Sequence, residues 1–214
     1  MSRALQYDIP GEDWRVELET LVKAGPRAVF GDDVPPDAPL VVEIGFGRGE
    51  FLMELAAASP DTAFLGIEYS FKRTLKLARR LAPTPLRNVR LVRATAEEVV
   101  RDALPDASVA TFWVNFPDPW PKKRHARRRL FQQGFVARLA ARLAPGGELN
   151  VATDDPAYAL WIDDVLSKEP ALDNAFAPDA YRTEVADRPA TAYELKWRAE
   201  GRSFHFFRYT APVH

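Results

Sequence analysis

Three glycines at alternate positions, Gly45, Gly47 and Gly49, follow the apolar run Val41-Val42-Glu43-Ile44 where a strand should turn into a helix. Such glycines permit positive φ and let the backbone approach a ligand with no Cβ in the way. Glu43 places a carboxylate at the strand end, which suits a cationic ligand. The same carboxylate would repel a pyrophosphate, and a dinucleotide turn wants G-x-G-x-x-G, so an NAD-dependent dehydrogenase is the poorest fit. Further on, Phe64-Leu65-Gly66-Ile67-Glu68 ends a second strand in an acid, the position for gripping both hydroxyls of a ribose. A third strand ends at Arg93-Ala94-Thr95, where the Thr95 hydroxyl can accept a hydrogen bond from a ligand. Glu97 and Glu98 fit better as first-turn helix charges than as ligands.

The second chemically loaded stretch is Asn115-Phe116-Pro117-Asp118-Pro119-Trp120, directly after the apolar run VATFWVNF. In an open α/β sheet, ligands bind beyond the carboxyl ends of strands. Asp118, held between two prolines, could accept hydrogen bonds from the N1 and exocyclic amino donors of a guanine, and Phe116 or Trp120 offers a face for stacking. From Lys122 to Arg129 six of eight residues are Lys or Arg, although the whole chain carries a net charge of only -1. Beside that loop the run, with Lys122, Arg124 and His125, reads as a phosphate-binding segment. Arg182, Arg188, Lys196, Arg198 and Arg202 are candidates to extend the track.

These residues carry a family resemblance. The E-x-G-x-G-x-G loop at 43–49 is similar to the loop with which S-adenosylmethionine-dependent methyltransferases wrap a methionine moiety. P-D-P-W followed by lysine, Arg124-His125 and further basic residues resembles the hallmark of the tRNA (guanine-N7-)-methyltransferases, joined by Ala152-Thr153-Asp154 and by T-x-x-E at Thr191 to Glu194. The likeness covers roughly residues 40–210. It implies S-adenosyl-L-methionine as cofactor and tRNA as partner. The implied product is 7-methylguanosine at a variable-loop guanosine, conventionally position 46 of tRNA. Carried over by position, it implies that Glu43, Glu68, Thr95 and Asp118 line the cofactor side, with Asp118 catalytic. Lys122, Asp154, Thr191 and Glu194 are then implied on the substrate side. The alternatives are a methyltransferase acting on another RNA or a protein, and a non-catalytic RNA-binding module that keeps the fold.

The elements that must position these residues follow from the apolar pattern. From Leu40 onward short apolar runs alternate with longer amphipathic ones, the signature of βαβ units and a parallel sheet. Strands are expected near 40–45, 62–68, 89–94, 109–116 and 147–153, and helices near 49–58, 71–82, 95–103, 126–143 and 156–167. The tail Phe204 to Thr210 reads as a last, antiparallel strand, its aromatics as core. The expected fold is therefore α/β: a Rossmann-like, seven-stranded class I methyltransferase with helices on both faces. Residues 1–39 read as an N-terminal extension, partly flexible and ending in the connector GDDVPPDAP, and 40–214 as the catalytic domain.

At 214 residues, 47% hydrophobic and 28% charged, the chain can bury a sizeable core. It contains no cysteine, and His125, His205 and His214 are scattered, so neither disulfides nor a metal site is expected. No apolar run approaches the roughly 18 residues of a membrane span. The N-terminus MSRALQYDIPGEDW lacks the apolar core of a signal peptide, so a cytoplasmic protein is expected. The residues do not set the oligomeric state, for which a monomer is the simplest expectation.

Overall fold

Each apolar run singled out above is a strand in the computed structural model, which describes residues 7–213. The chain divides into two compact units, one ending at Ala103 and one beginning at Leu104.

In the first unit, strand β1 (Arg15–Val16) and helix α1 (Leu18–Ala24) precede a 3-10 segment, Ala28–Asp33. Then alternate β2 (Leu40–Ile44), α2 (Glu50–Ala58), β3 (Ala63–Ile67), α3 (Phe71–Leu81), β4 (Val89–Val92) and α4 (Ala96–Asp102). The strands lie in the order β1-β4-β3-β2, all parallel. β2, β3 and β4 are buried at every position, as expected of parallel strands covered on both faces.

Among the described residues before Leu40, the structure differs from the sequence reading, and residues 1–6 of the expected extension lie outside the described residues. Trp14, Leu21, Phe30 and Ala38 are buried, and β1 adds an edge strand that the sequence did not announce. Gly31 to Asp33, read as connector, lie in the 3-10 segment. Arg90 explains why this stretch is fixed. Its buried guanidinium donates to the carbonyls of Val29, Phe30, Arg87 and Val89, pairs with Asp33 at 2.5 Å, and lies over the rings of Trp14 and Phe30. A planar five-donor group can satisfy that many acceptors at once, which an ammonium cannot.

In the second unit, β5 (Val109–Asn115) leads to a 3-10 segment (Lys123–Arg128) and α5 (Gln133–Arg142). β6 (Leu143–Thr153), α6 (Pro156–Leu166), β7 (Asp173–Asn174), α7 (Ala192–Arg198) and β8 (His205–Thr210) follow. Strand order is β5-β6-β8-β7; β5 and β6 are parallel, and β8 is antiparallel to both of its neighbours. The late antiparallel strand is thus where the sequence put it, and Phe204, Phe206, Phe207 and Tyr209 are core.

Two boundaries moved. The expected helix 126–143 is split, because the basic run forms its own 3-10 turn before Gln132 opens α5. β6 starts four residues early, through Pro145-Gly146-Gly147, where the β5 register shifts between Val109 and Thr111. A Cβ on Gly147 would lie 2.8 Å from the Ala144 oxygen, so only glycine passes there.

Arg90→Leu should leave the Asp33 carboxylate and four carbonyls without this donor, and lower stability by about 3–5 kcal/mol. Urea unfolding followed by tryptophan fluorescence measures it; an unchanged midpoint would show that the N-terminal stretch is not held by this side chain.

Candidate functional site

The glycine turn in the first unit is built by β2 and β3 together. Gly45 N–H donates to the Ile67 carbonyl at 2.8 Å, and Gly49 N–H to the Phe46 carbonyl at 2.8 Å. Gly45, Gly47 and Gly49 all have positive φ, at 74°, 57° and 79°. Their surroundings separate their roles. A Cβ on Gly49 would sit 2.3 Å from buried Leu77 of α3, so Gly49 is required by packing as well as by conformation. A Cβ on Gly45 would meet nothing within 4 Å, so that backbone borders open space.

Two acidic residues lie at the ends of the strands that build this turn. Glu43, near the end of β2, is buried. Glu68, just past β3 and 3% exposed, accepts from Gly47 N–H at 3.2 Å and Ser70 N–H at 2.9 Å, with Arg73 at 3.5 Å. Its charge therefore holds the middle of the glycine turn to the start of α3.

Thr95 has a different local role from the one read in the sequence. It is the N-cap of α4 in a reciprocal capping box: its hydroxyl and N–H both donate to the Glu98 carboxylate, and the hydroxyl accepts from Glu98 N–H. Those bonds hold the Glu98 carboxyl below its ordinary range. Glu98 is thus the first-turn charge expected of it.

In the second unit β5 ends at Asn115, and Phe116 N–H donates to the Ala152 carbonyl at 2.8 Å. Phe116 and Trp120 then take left-handed φ values of 53° and 44°, on either side of Pro117-Asp118-Pro119. Asp118 between them is exposed. Neither aromatic is a bare stacking surface. Phe116 packs on Tyr193, with ring centroids 4.9 Å apart, and meets Phe204 edge-on at 5.6 Å. Trp120 meets His125 edge-on at 5.7 Å and carries the Arg128 guanidinium at 5.0 Å.

The basic run folds back onto this loop. Arg129 donates to the Pro119 carbonyl at 2.9 Å and lies over Tyr158 and Trp161, so it is structural. Tyr158 is fully buried, and burial pushes its hydroxyl up to about 12. Lys122, Arg124 and Arg127 are exposed, while His125 is half-buried against Trp120.

Asp154 follows β6, one residue ahead of the N-cap of α6. Asp155 is the N-cap of α6, accepting from Tyr158 N–H at 2.8 Å ahead of Pro156. Asp154 instead accepts from the Tyr193 hydroxyl at 2.9 Å and from Arg202. Burial, and then the Asp154 carboxylate, raise that phenol above its ordinary value, so it stays a donor.

Thr191 and Glu194 point inward. Thr191 caps α7 by accepting from Glu194 N–H at 3.0 Å, and both residues are buried. Glu194 binds Arg188 at 2.6 Å and Arg198 at 3.0 Å, and Arg188 also donates to the Asn115 side chain at 3.1 Å. Of the cations that were candidates to extend the basic track, the Arg188 side chain is buried against Glu194, Arg198 and Arg202 are exposed and paired with carboxylates, and Arg182 and Lys196 are exposed beside Phe176 and Trp197. Sequence reasoning missed Tyr193 and Asn115. Both lie inside or beside the quoted motifs, but their partners are dozens of residues away.

Gly45→Ala and Gly49→Ala should behave differently. Gly49→Ala forces Leu77 to move and lowers stability by about 1–3 kcal/mol, whereas Gly45→Ala costs less stability but obstructs a bound ligand. Thermal melts paired with ligand titration separate the two; equal melting losses would show that the space over Gly45 is closed.

Comparison with known proteins bears on this geometry. The chain matches the family model described as "Putative methyltransferase" over residues 37–207. It is 48% identical over 157 residues to the tRNA (guanine-N(7)-)-methyltransferase of Aromatoleum aromaticum, covering 73% of this chain and 60% of that protein. The counterpart from Halorhodospira halophila is 40% identical over 188 residues, covering 82% of this chain and 81% of that protein. The chain thus spans about three fifths of the Aromatoleum relative and about four fifths of the Halorhodospira one. Among solved structures, the antibiotic-resistance methyltransferase Kmr matches at a TM-score of 0.57 and 22% identity, covering 88% of this chain and 93% of that one. A 16S rRNA (adenine(1408)-N(1))-methyltransferase from Catenulisporales acidiphilia, solved with cosubstrate SAM, matches at 0.58 and 17% identity, covering 92% of each chain. Both share the α/β Rossmann-like fold. On the family model and on identity across most of the Halorhodospira protein, the chain belongs to the tRNA (guanine-N(7)-)-methyltransferase family.

Proposed function

We propose that this chain transfers the methyl group of S-adenosyl-L-methionine to N7 of guanosine in tRNA, in the cytoplasm, with a variable-loop guanosine as target. The observation that carries the reading is Asp118, an exposed carboxylate between two prolines and two left-handed aromatics. The relatives' names supply the acceptor: tRNA and guanine N7.

The donor residues fit the cofactor by their chemistry. Glu43 brings a buried carboxyl group to the end of β2, suited to the cationic end of the methionine moiety. Glu68 offers a carboxylate to ribose hydroxyls, and the open space over Gly45 leaves room for a chain to lie against the backbone. Thr95, committed to its capping box, contributes through the position of α4 more than through a free hydroxyl. When bound, the cofactor supplies an activated methyl carbon.

Guanine N7 carries its own lone pair, so no proton need be removed before attack and strong general-base catalysis is unnecessary. The task of the second unit's residues is alignment, an effect that can be worth about 7–11 kcal/mol. In this proposal Asp118 accepts from N1–H and the exocyclic amine on the Watson–Crick edge, leaving the N7 edge open. As N7 is alkylated the purine becomes cationic and N1–H more acidic. The hydrogen bond to Asp118 is then stronger in the transition state than in the ground state, which is the condition for catalysis. Lys122, Arg124 and His125 serve the phosphates beside the target.

Transfer of labelled methyl to bulk tRNA lacking 7-methylguanosine, followed by nucleoside analysis, tests the whole reading; label in ribosomal RNA or protein alone would remove tRNA as the acceptor. Asp118→Ala should lose kcat by about 10²-fold or more with little change in cofactor affinity; unchanged turnover would take Asp118 out of the chemistry. Replacing Lys122 and Arg124 together by Gln should raise KM for tRNA and reduce the salt slope by about 2. A slope equal to that of the unaltered protein would place the basic run off the RNA path.

A further inference from the structure

Between Glu68 and Glu97 the chain holds eight of its 29 lysines and arginines and none of its 30 acids. Arg90 is buried, but five of the eight belong to α3: Lys72, Arg73, Lys76, Arg79 and Arg80. The inward face of this helix is core, with Thr74, Leu75, Leu77, Ala78 and Leu81 buried. Lys72, Lys76 and Arg80 follow one another at four-residue intervals on the outward face, with Arg73 beside the first, and all four are exposed. The row rises about 12 Å along the helix.

This pattern works against the helix that carries it. Like charges at i and i+4 destabilise a helix, and cations in its first turn oppose the macrodipole. α3 has no acid in its first turn, and Ser70 gives no side-chain cap. The usual remedy is seen at the end of α6, where Lys168 at the same spacing is paired with Asp164. On α3, Arg73 lies 3.5 Å from Glu68 and Arg80 lies 3.5 Å from Glu50, whereas Lys72 and Lys76 form no ion pair among the described residues. Where a sequence breaks local rules with no gain inside the fold, the gain is sought in function.

We propose that the outward face of α3, centred on Lys72 and Lys76, binds the phosphate backbone of the RNA acceptor. It is a contact of the first unit, additional to the basic run of the second, and it rests on the reading of tRNA as acceptor given above. RNA suits the row because its backbone carries a charge at every nucleotide, so successive cations each meet a phosphate. Such contacts add affinity without reading sequence, and this face therefore serves every acceptor of the enzyme alike.

The experiment measures binding of the full chain to an unmodified tRNA transcript by fluorescence anisotropy over a range of salt concentrations. Lys72→Gln combined with Lys76→Gln removes two charges and leaves the Arg73 and Arg80 pairs in place. Kd for tRNA should rise about tenfold at low salt, and the slope of log affinity on log salt should fall by about 2. Arginine at both positions should restore the unaltered values. Lys23→Gln combined with Arg138→Gln, an equal loss of charge on α1 and α5, should change neither quantity. Affinity for S-adenosyl-L-methionine, and kcat at saturating tRNA, should stay within about twofold in every variant. Unchanged tRNA affinity and slope in the Lys72 and Lys76 variant would overturn the proposal, as would an equal loss in the Lys23 and Arg138 variant, which would reduce the effect to net charge. A matching loss of cofactor affinity would also sink it, by assigning the two lysines to the cofactor turn. If the unaltered protein binds tRNA through this face but transfers no methyl to it, the functional reading fails and the surface stands; if methyl transfer proceeds and the lysines prove silent, the reverse holds.

Discussion

One buried carboxylate organises the first unit. Glu68 accepts from Gly47 in one turn and from Ser70 at the head of α3, so two loops at the ends of neighbouring strands are fixed by a single charge. Hydrogen bonds to an ionised acceptor are stronger than neutral ones, and they weigh more where water is excluded. Backbone N–H groups that would otherwise point at nothing are thereby aimed at one place. The parallel pairing of β2 with β3, Glu43 opposite Gly66, brings the two acids of the candidate site to adjacent strand ends.

In the second unit the Asp118 loop is held differently. It is anchored by groups that reach in from three sides: Ala152 of β6 through its carbonyl, Arg129 through the Pro119 carbonyl, and α7 through Arg188 and Tyr193. Several arginines of this unit serve the protein's own structure. Arg129, Arg188 and Arg208 each lie over an aromatic ring and bind a specific oxygen, so their charges are not available to a polyanion in the way a surface lysine's is.

Much of this was legible in the sequence. The β2 and β3 runs are largely apolar and run into Gly45 and Glu68, so their strands and the positions of Glu43 and Glu68 could be read directly. Asp155-Pro156 announced α6, and Thr95 with Glu98 has the spacing of a capping box, although the hydroxyl was read as a ligand. What could not be read was tertiary. β1 is two residues long, and nothing in Arg15-Val16 signals that Arg90 and Trp14 will hold it. The count of cations near T-x-x-E suggested a track, and only coordinates reveal that Arg188 and Glu194 neutralise each other indoors. A charge in a sequence has a sign but no direction.

The left-handed φ of Phe116 and Trp120 carries a consequence for engineering. Non-glycine residues in that region cost of order 1–3 kcal/mol each, a deficit the surrounding contacts must offset. Glycine at either position would relax the backbone, and a search guided only by melting temperature would favour it. It would also remove the ring that Tyr193 or Arg128 rests against and release the turn it pins. Thermal hardening of this protein is therefore safer at its helix caps and edges than at the two residues whose discomfort keeps the loop in shape.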